Sequence, residues 1–139
     1  MFYLAAMQLP EADYLYVKDS QIPASGKGLY TAVAIFKDEC IATFKGEILS
    51  QAQANLRAKQ GLNAYFMSLP NGKILDAHNT EGFAKFANDA TAFNGVAFKN
   101  NAKIVWVDNK KVALVATKNI AAGNEIFCHY GKRYWALHG

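Results

Sequence analysis

Short apolar runs separated by turn formers dominate this chain, and the pattern predicts strands more often than helices. Strand composition marks 14–18, 29–36 and 40–49, the last interrupted at Gly46, with turn formers over 20–28 and a polar turn at Lys37, Asp38 and Glu39. The Gly26-Lys27-Gly28 step falls in the loop between the first two of these, where a glycine pair lets backbone N–H and C=O groups pass close to a ligand. One helix stands out: Ser50-Gln51-Ala52-Gln53 is a capping-box pattern, Leu56, Ala58 and Lys59 are good formers, and Gly61 is a stop. Apolar runs over 63–69 and 73–76 flank Asn71-Gly72, the strongest short-range hairpin signal, and such a hairpin holds Tyr65 rigidly. A second hairpin is expected from 103–107 and 110–117 about Asp108 and Asn109, with alternation clearest in its first arm. Ile120 to Asn124 reads as a turn and 125–130 as a last strand. The tail carries Tyr134 and Trp135, bulky side chains expected to fold back onto the body.

The most informative stretch is 83–94, FAKFANDATAFN. Its apolar residues Phe83, Ala84, Phe86 and Ala87 stop abruptly at Asn88-Asp89. Asn tolerates a left-handed backbone, so these residues alone predict a helix that ends at Asn88.

Composition narrows the classes. The 139 residues suit one domain, 1–139, because a chain this short rarely supports two independent cores. An apolar fraction of 52% gives it a core, and 13% aromatic residues, with seven Tyr and nine Phe, lean towards strands. The fold class is therefore mostly β with short helices. Cys40 and Cys128 have no metal-ligand spacing and read as buried reduced thiols. His78, His129 and His138 form no usual ligand set, so no metal is expected. Cys128 and His129, as neighbours on a strand, point to opposite faces and make no nucleophile-base pair. The first residues have no basic n-region, and no apolar run approaches the roughly 20 residues of a membrane-spanning helix. A soluble intracellular protein with no membrane partner is the expectation. A formal charge of +4, with Lys99, Lys103, Lys110, Lys111 and Lys118 in the last third, allows contact with phosphate backbones. Those lysines alternate with apolar positions and no Arg joins them, so a solvated hairpin face explains them more simply.

Several segments, in order, resemble the SET-domain protein lysine methyltransferases. Ser25 to Tyr30 (SGKGLY) is similar to that family's Gly-x-Gly segment, and Phe44 to Ile48 (FKGEI) to the strand and Gly-Glu that follow it. Leu75-Asp76-Ala77 resembles its Ile-Asp-Ala, and 83–94 its Arg-Phe-Ile-Asn-His-Ser-x-x-Pro-Asn block, with Asn94 at the final Asn. Ile120 to Gly131 (IAAGNEIFCHYG) resembles Ile-x-x-Gly-Glu-Glu-Ile-Thr-x-x-Tyr-Gly, and Tyr130 to Trp135 the Tyr-Gly-x-x-Tyr-Trp that ends minimal viral and bacterial members. Three positions depart: Asp89 stands for the family His, Lys85 for its Arg, and Phe93 for its Pro. The family's Cys-rich zinc flanks have no counterpart.

The resemblance implies a β-clip fold of small curved sheets, with a knot-like crossing of the Asn88 segment and the C-terminal strand. It implies methyl transfer from S-adenosylmethionine to a lysine side chain of a protein, with histone tails and chromatin as candidate targets. The free lysine pKa is about 10.4, so an aromatic channel must desolvate the ammonium, and in-line displacement then needs orientation more than a base. Tyr130 and Tyr65 are the implied catalytic residues. Lys27, Gly28, Leu29, Asn88, Asp89, Tyr130 and Trp135 are the implied cofactor contacts, and Tyr65, Cys128 and Tyr134 line the implied substrate channel. Cys128 stands where many members carry Phe or Tyr and leaves more room, which favours multiple methylation. A basic peptide also needs acidic groups, for which Glu47, Asp76, Glu81 and Glu125 are candidates. The alternatives are a non-catalytic SET-like peptide or chromatin binder in which Asp89 has spoiled the cofactor pocket, and an unrelated small β-barrel that binds nucleic acid. The oligomeric state stays open, a dimer included. So does the compartment, nucleus or cytoplasm, or a host nucleus for a viral or bacterial source.

Overall fold

Three small sheets carry the fold in the computed structural model, which describes residues 9–23, 25–63, 66–77, 82–90, 98–108 and 111–129. The first sheet pairs β1 (Leu15–Asp19), β2 (Lys27–Thr31) and β9 (Glu125–Ile126) in that order, all antiparallel. The second runs β10 (Cys128–His129), β7 (Ala102–Trp106), β8 (Val112–Ala116) and β3 (Cys40–Phe44), with β10 parallel to β7. The third holds β4 (Glu47–Leu49), β6 (Ile74–Asp76) and β5 (Phe66–Ser68). Mostly β with one short α-helix is thus the observed class. Among the described residues no helix is long and apolar enough to cross a membrane.

Local chemistry explains the elements. The helix α1 (Gln51–Lys59) starts where expected: Ser50 Oγ accepts from Gln53 N–H at 3.2 Å, and Gln53 Oε1 accepts from Ser50 N–H at 2.9 Å. Gly61 beyond its end has φ +75°. The hairpin of β5 and β6 turns through Asn71 and Gly72, with Gly72 at φ +83° and its N–H bonded to Leu69 O at 3.1 Å. The hairpin of β7 and β8 is in register from Ala102 opposite Ala116 to Trp106 opposite Val112. The inner faces of β2, β3, β8 and β9 build one core around Leu29, Ile41, Val112, Leu114 and Ile126.

Four expectations change. The strand expected over 29–36 begins earlier, at Lys27, and stops at Thr31, whose hydroxyl donates to Val33 O at 2.7 Å and accepts from Val33 N–H at 3.2 Å. That local pair competes with continuation of the strand, and Ile35 further on makes only an isolated bridge to Ile120, outside the sheet. Lys27 and Gly28 therefore lie in a strand rather than in a loop. The apolar segment before Asn88 forms only a single 3-10 turn, Ala84–Phe86, followed by extended backbone at Ala87. Asn88 is not a left-handed helix end, because its carbonyl is drawn into a parallel bridge with the C-terminal strand. The last strand is two pieces, β9 and β10, divided at Phe127, whose N–H bonds a side chain instead of a strand. The C-terminal crossing implied by the family resemblance involves residues beyond 129 and lies outside the described residues.

Candidate functional site

Five residues, 125–129, tie three parts of the chain together. Ile126 pairs with Leu29 in β2, Phe127 bridges Asn88, and Cys128 pairs with Ala102 in β7. The Cys128 N–H donates to Asn88 O at 2.8 Å. On its other side, the Asn88 amide donates from Nδ2 to Lys27 O at 3.0 Å. Asn88 thus holds the β2 strand with its side chain and the C-terminal strand with its backbone, bringing residues 27, 88 and 128 into one cluster.

Beneath this cluster lies Glu125, only 2% exposed. Its Oε2 accepts from Ser20 Oγ at 2.7 Å and its Oε1 from Gln21 N–H at 2.8 Å and from Gln21 Nε2 at 3.4 Å. The Tyr30 hydroxyl donates to Asp19 O at 2.7 Å, with Glu125 Oε1 at 3.1 Å as a second acceptor. Burial, with the Glu125 charge beside it, pushes the Tyr30 phenol up to about 12. Gly28 is the third wall: a Cβ placed there would strike Glu125 Oε2, with Glu125 Cδ at 2.9 Å and Ser20 Cα at 3.2 Å. The absence of a side chain at 28 therefore makes room for a carboxylate of the protein itself. Gly26 differs, with φ +66° and, among the described residues, no heavy atom within 4 Å of an ideal Cβ.

Asp89, which stands for a His in the family pattern, is 3% exposed. Its Oδ1 accepts from Asn100 Nδ2 at 2.9 Å. Asn100 Oδ1 in turn accepts from Ala90 N–H at 2.8 Å. The carboxylate is thus taken up by the framework. Cys128 is fully buried in the main core, and burial, with the Asp89 charge as a smaller contributor, pushes its thiol well above the usual range. Both cysteines are buried and neither is in a disulfide.

Of the sequence-derived site residues, Lys27, Gly28, Leu29, Asn88, Asp89 and Cys128 are brought together. Tyr65, Tyr130, Tyr134 and Trp135 lie outside the described residues, as do Glu81, Asn94, His78, His138 and Lys110. Of the acids singled out for an acidic groove, the three described ones are all engaged within the protein. Glu125 is enclosed, and Asp76, 3% exposed, accepts from Arg57 Nη1 at 2.7 Å. Glu47 is bound by the same guanidinium, at 3.2 Å from Nη1 and 3.0 Å from Nη2, which holds its carboxyl below the ordinary range. Lys99, Lys103, Lys111 and Lys118 are exposed, as a solvated hairpin face requires. Among the described residues no His, Cys, Asp and Glu cluster could hold a metal. Sequence reasoning missed Ser20, Asn100 and Asn101, polar loop residues whose long-range partners lie 10 to 105 positions away.

A family model described as the SET domain matches residues 26–131. The maize protein named histone-lysine N-methyltransferase EZ1 is 30% identical over 110 residues, 76% of this chain and 11% of the relative. Rice histone-lysine N-methyltransferase CLF is 29% identical over 110 residues, 76% of the chain and 12% of the relative. Human histone-lysine N-methyltransferase 2D is 29% identical over 121 residues, 84% of the chain and 2% of the relative. The chain therefore spans a small part of the length of these relatives.

Proposed function

The chain belongs to the SET-domain family, and on that footing we propose that it is a protein-lysine N-methyltransferase that uses S-adenosylmethionine, with a histone tail as the candidate substrate. The observation that carries the reading is the junction at Asn88, whose side chain bonds Lys27 O and whose carbonyl takes the Cys128 N–H. It joins three of the segments that the family resemblance assigns to the cofactor pocket. The residues present suit that donor: among the described residues nothing crowds the Cβ position of Gly26, which leaves room for an extended ligand beside it, and the Asp89 carboxylate bonds Asn100. The second of these counts against a pocket spoiled by Asp89, the premise of the binding-module alternative.

S-adenosylmethionine supplies an electrophilic methyl group on a positively charged sulfur. The protein's task is then orientation and desolvation. Lys27, Gly28 and Leu29 would face the donor's amino-acid end with backbone groups, and Asn88 and Asp89 its adenine. Tyr130 would aim its hydroxyl at the reacting centre. A phenol with an ordinary pKa of about 10 is a poor base at neutral pH, so its role is to orient and polarise. Tyr65 and Tyr134 would wall the lysine channel, lowering the ammonium pKa by burial, with Cys128 behind them and Trp135 against the adenine. The room left at Cys128 favours more than one methylation.

The test is calorimetry with S-adenosylhomocysteine, together with transfer of labelled methyl groups to histones and to a cell lysate. Saturable binding and transfer that Tyr130→Phe abolishes are expected. No binding and no transfer would overturn the reading, and retained affinity for a lysine peptide, unaffected by cofactor, would replace it with the binding module.

A further inference from the structure

Asn100 and Asn101 stand immediately before β7, outside every motif described above. Neighbouring residues of an extended chain project to opposite sides, and this pair uses both. Asn100 accepts from Ala90 N–H at 2.8 Å and donates to Asp89 Oδ1 at 2.9 Å. Asn101 accepts from Phe127 N–H at 2.9 Å and donates to Glu125 O at 3.1 Å. The Asn101 backbone N–H adds a bond to Phe127 O at 2.9 Å. One dipeptide thus grips the chain just after Asn88 and the chain just before Cys128, the two segments that the Cys128 N–H and the Asn88 carbonyl join.

The residue type matters. Each of these amides works as donor and acceptor at once, which a carboxylate cannot do and an alanine cannot begin to do. Residues 89–90 and Phe127 also lie where no regular strand supplies partners for these groups, so a side chain takes the place of a ladder.

We propose that Asn100 and Asn101 are positioning residues of the cofactor pocket, fixing the Asn88–Asp89 segment at its distance from the strand that leads to Tyr130. The proposal rests on the methyltransferase reading. Asn100 also supplies the amide that lets a carboxylate stand at 89: with that bond made, Asp89 is held in the framework rather than turned into the pocket.

A charge-exchange series tests this. Asn100→Asp sets two carboxylates against each other while keeping the acceptor for Ala90 N–H. It should weaken S-adenosylhomocysteine binding in calorimetry by tenfold or more. The exchanged pair, Asp89→Asn with Asn100→Asp, again places one amide against one carboxylate and should return affinity to within about threefold of the wild type. In turnover, Asn101→Ala should raise KM for the methyl donor about tenfold while KM for the peptide stays within twofold, a split that general destabilisation does not produce. If Asn100→Asp fails to fold, Asn100→Ala, which removes both side-chain bonds without adding charge, takes its place and should likewise weaken binding. Wild-type affinity in both Asn100 variants, or no recovery in the exchanged pair, would overturn the proposal alone. No binding by the wild type would overturn the methyltransferase reading together with it.

Discussion

The carboxylate of Glu125 occupies the space that a side chain on Gly28 would need, and the two residues sit on adjacent strands, with Glu125 opposite Tyr30 and Ile126 opposite Leu29. Glu125 cannot step aside, because Ser20, Gln21 and Tyr30 hold it and Ser20 Cα closes the remaining gap. The glycine is therefore required by a contact inside the protein, whatever lies outside it.

Gly28→Ala is expected to cost about 2–4 kcal/mol, the range for a methyl forced against a buried, fully bonded carboxylate. Gly26→Ala should cost only about 1 kcal/mol, for the left-handed φ alone. Urea denaturation of the two variants checks the order. It is the reverse of what backbone dihedrals predict, since Gly26 has the positive φ. Equal losses would mean that the Glu125 carboxylate can move.

The sequence made some of this plain and hid the rest for a physical reason. Ser50 and Gln53 announced α1, and Asn71-Gly72 announced the β5–β6 hairpin, because in both cases every partner lies within a few residues. Asn88 was legible as a boundary but not as a bridge, since its partners Lys27 and Cys128 are 61 and 40 positions away. Glu125, at the start of the expected last strand, was a candidate acid for a basic peptide, and it is the distant Ser20 and Gln21 that make its burial tolerable. Asn100 and Asn101 went unread, because their use as clasps depends on segments that meet only in the folded chain. The family resemblance named residues 27, 88 and 128, which the fold brings together, because an ordered set of motifs carries long-range information that no single one does.

Arg57 connects α1 to the third sheet through Glu47 and Asp76, and the two links differ in worth. Asp76 is enclosed, with a side chain 3% exposed, whereas that of Glu47 is 55% exposed. A buried carboxylate deprived of its guanidinium is costly, while an exposed pair adds little. Arg57→Met should lower Tm by on the order of 10 °C, and Glu47→Gln by no more than about 2 °C. Calorimetric scans check this, and similar shifts in both variants would show that Asp76 does not depend on Arg57. Because Asp76 is the register partner of Phe66, next to Tyr65, loss of turnover is expected to accompany the larger shift.

Stability should also fall on the alkaline side, and Cys40 gives the sign. Burial first, and then the Glu11 carboxylate, push its thiol up to about 11, against the smaller opposing pulls of Lys111 and the bond to Ala42. In the unfolded chain the same thiol titrates at about 8.5. Between these values the unfolded state binds fewer protons than the folded one, so folding stability is intact below about pH 8.5 and is lost as pH rises through about 11. The slope attributable to this group approaches 1.4 kcal/mol per pH unit near the middle of the window. Cys40→Ala should lose about 1–2 kcal/mol of packing at every pH but show a shallower decline between pH 9 and 11 in urea denaturation. The buried thiol of Cys128 and phenol of Tyr14, both raised by desolvation, continue to contribute in the variant, so the decline is reduced rather than abolished. Parallel pH profiles for wild type and variant would show that Cys40 ionises as freely in the fold as out of it.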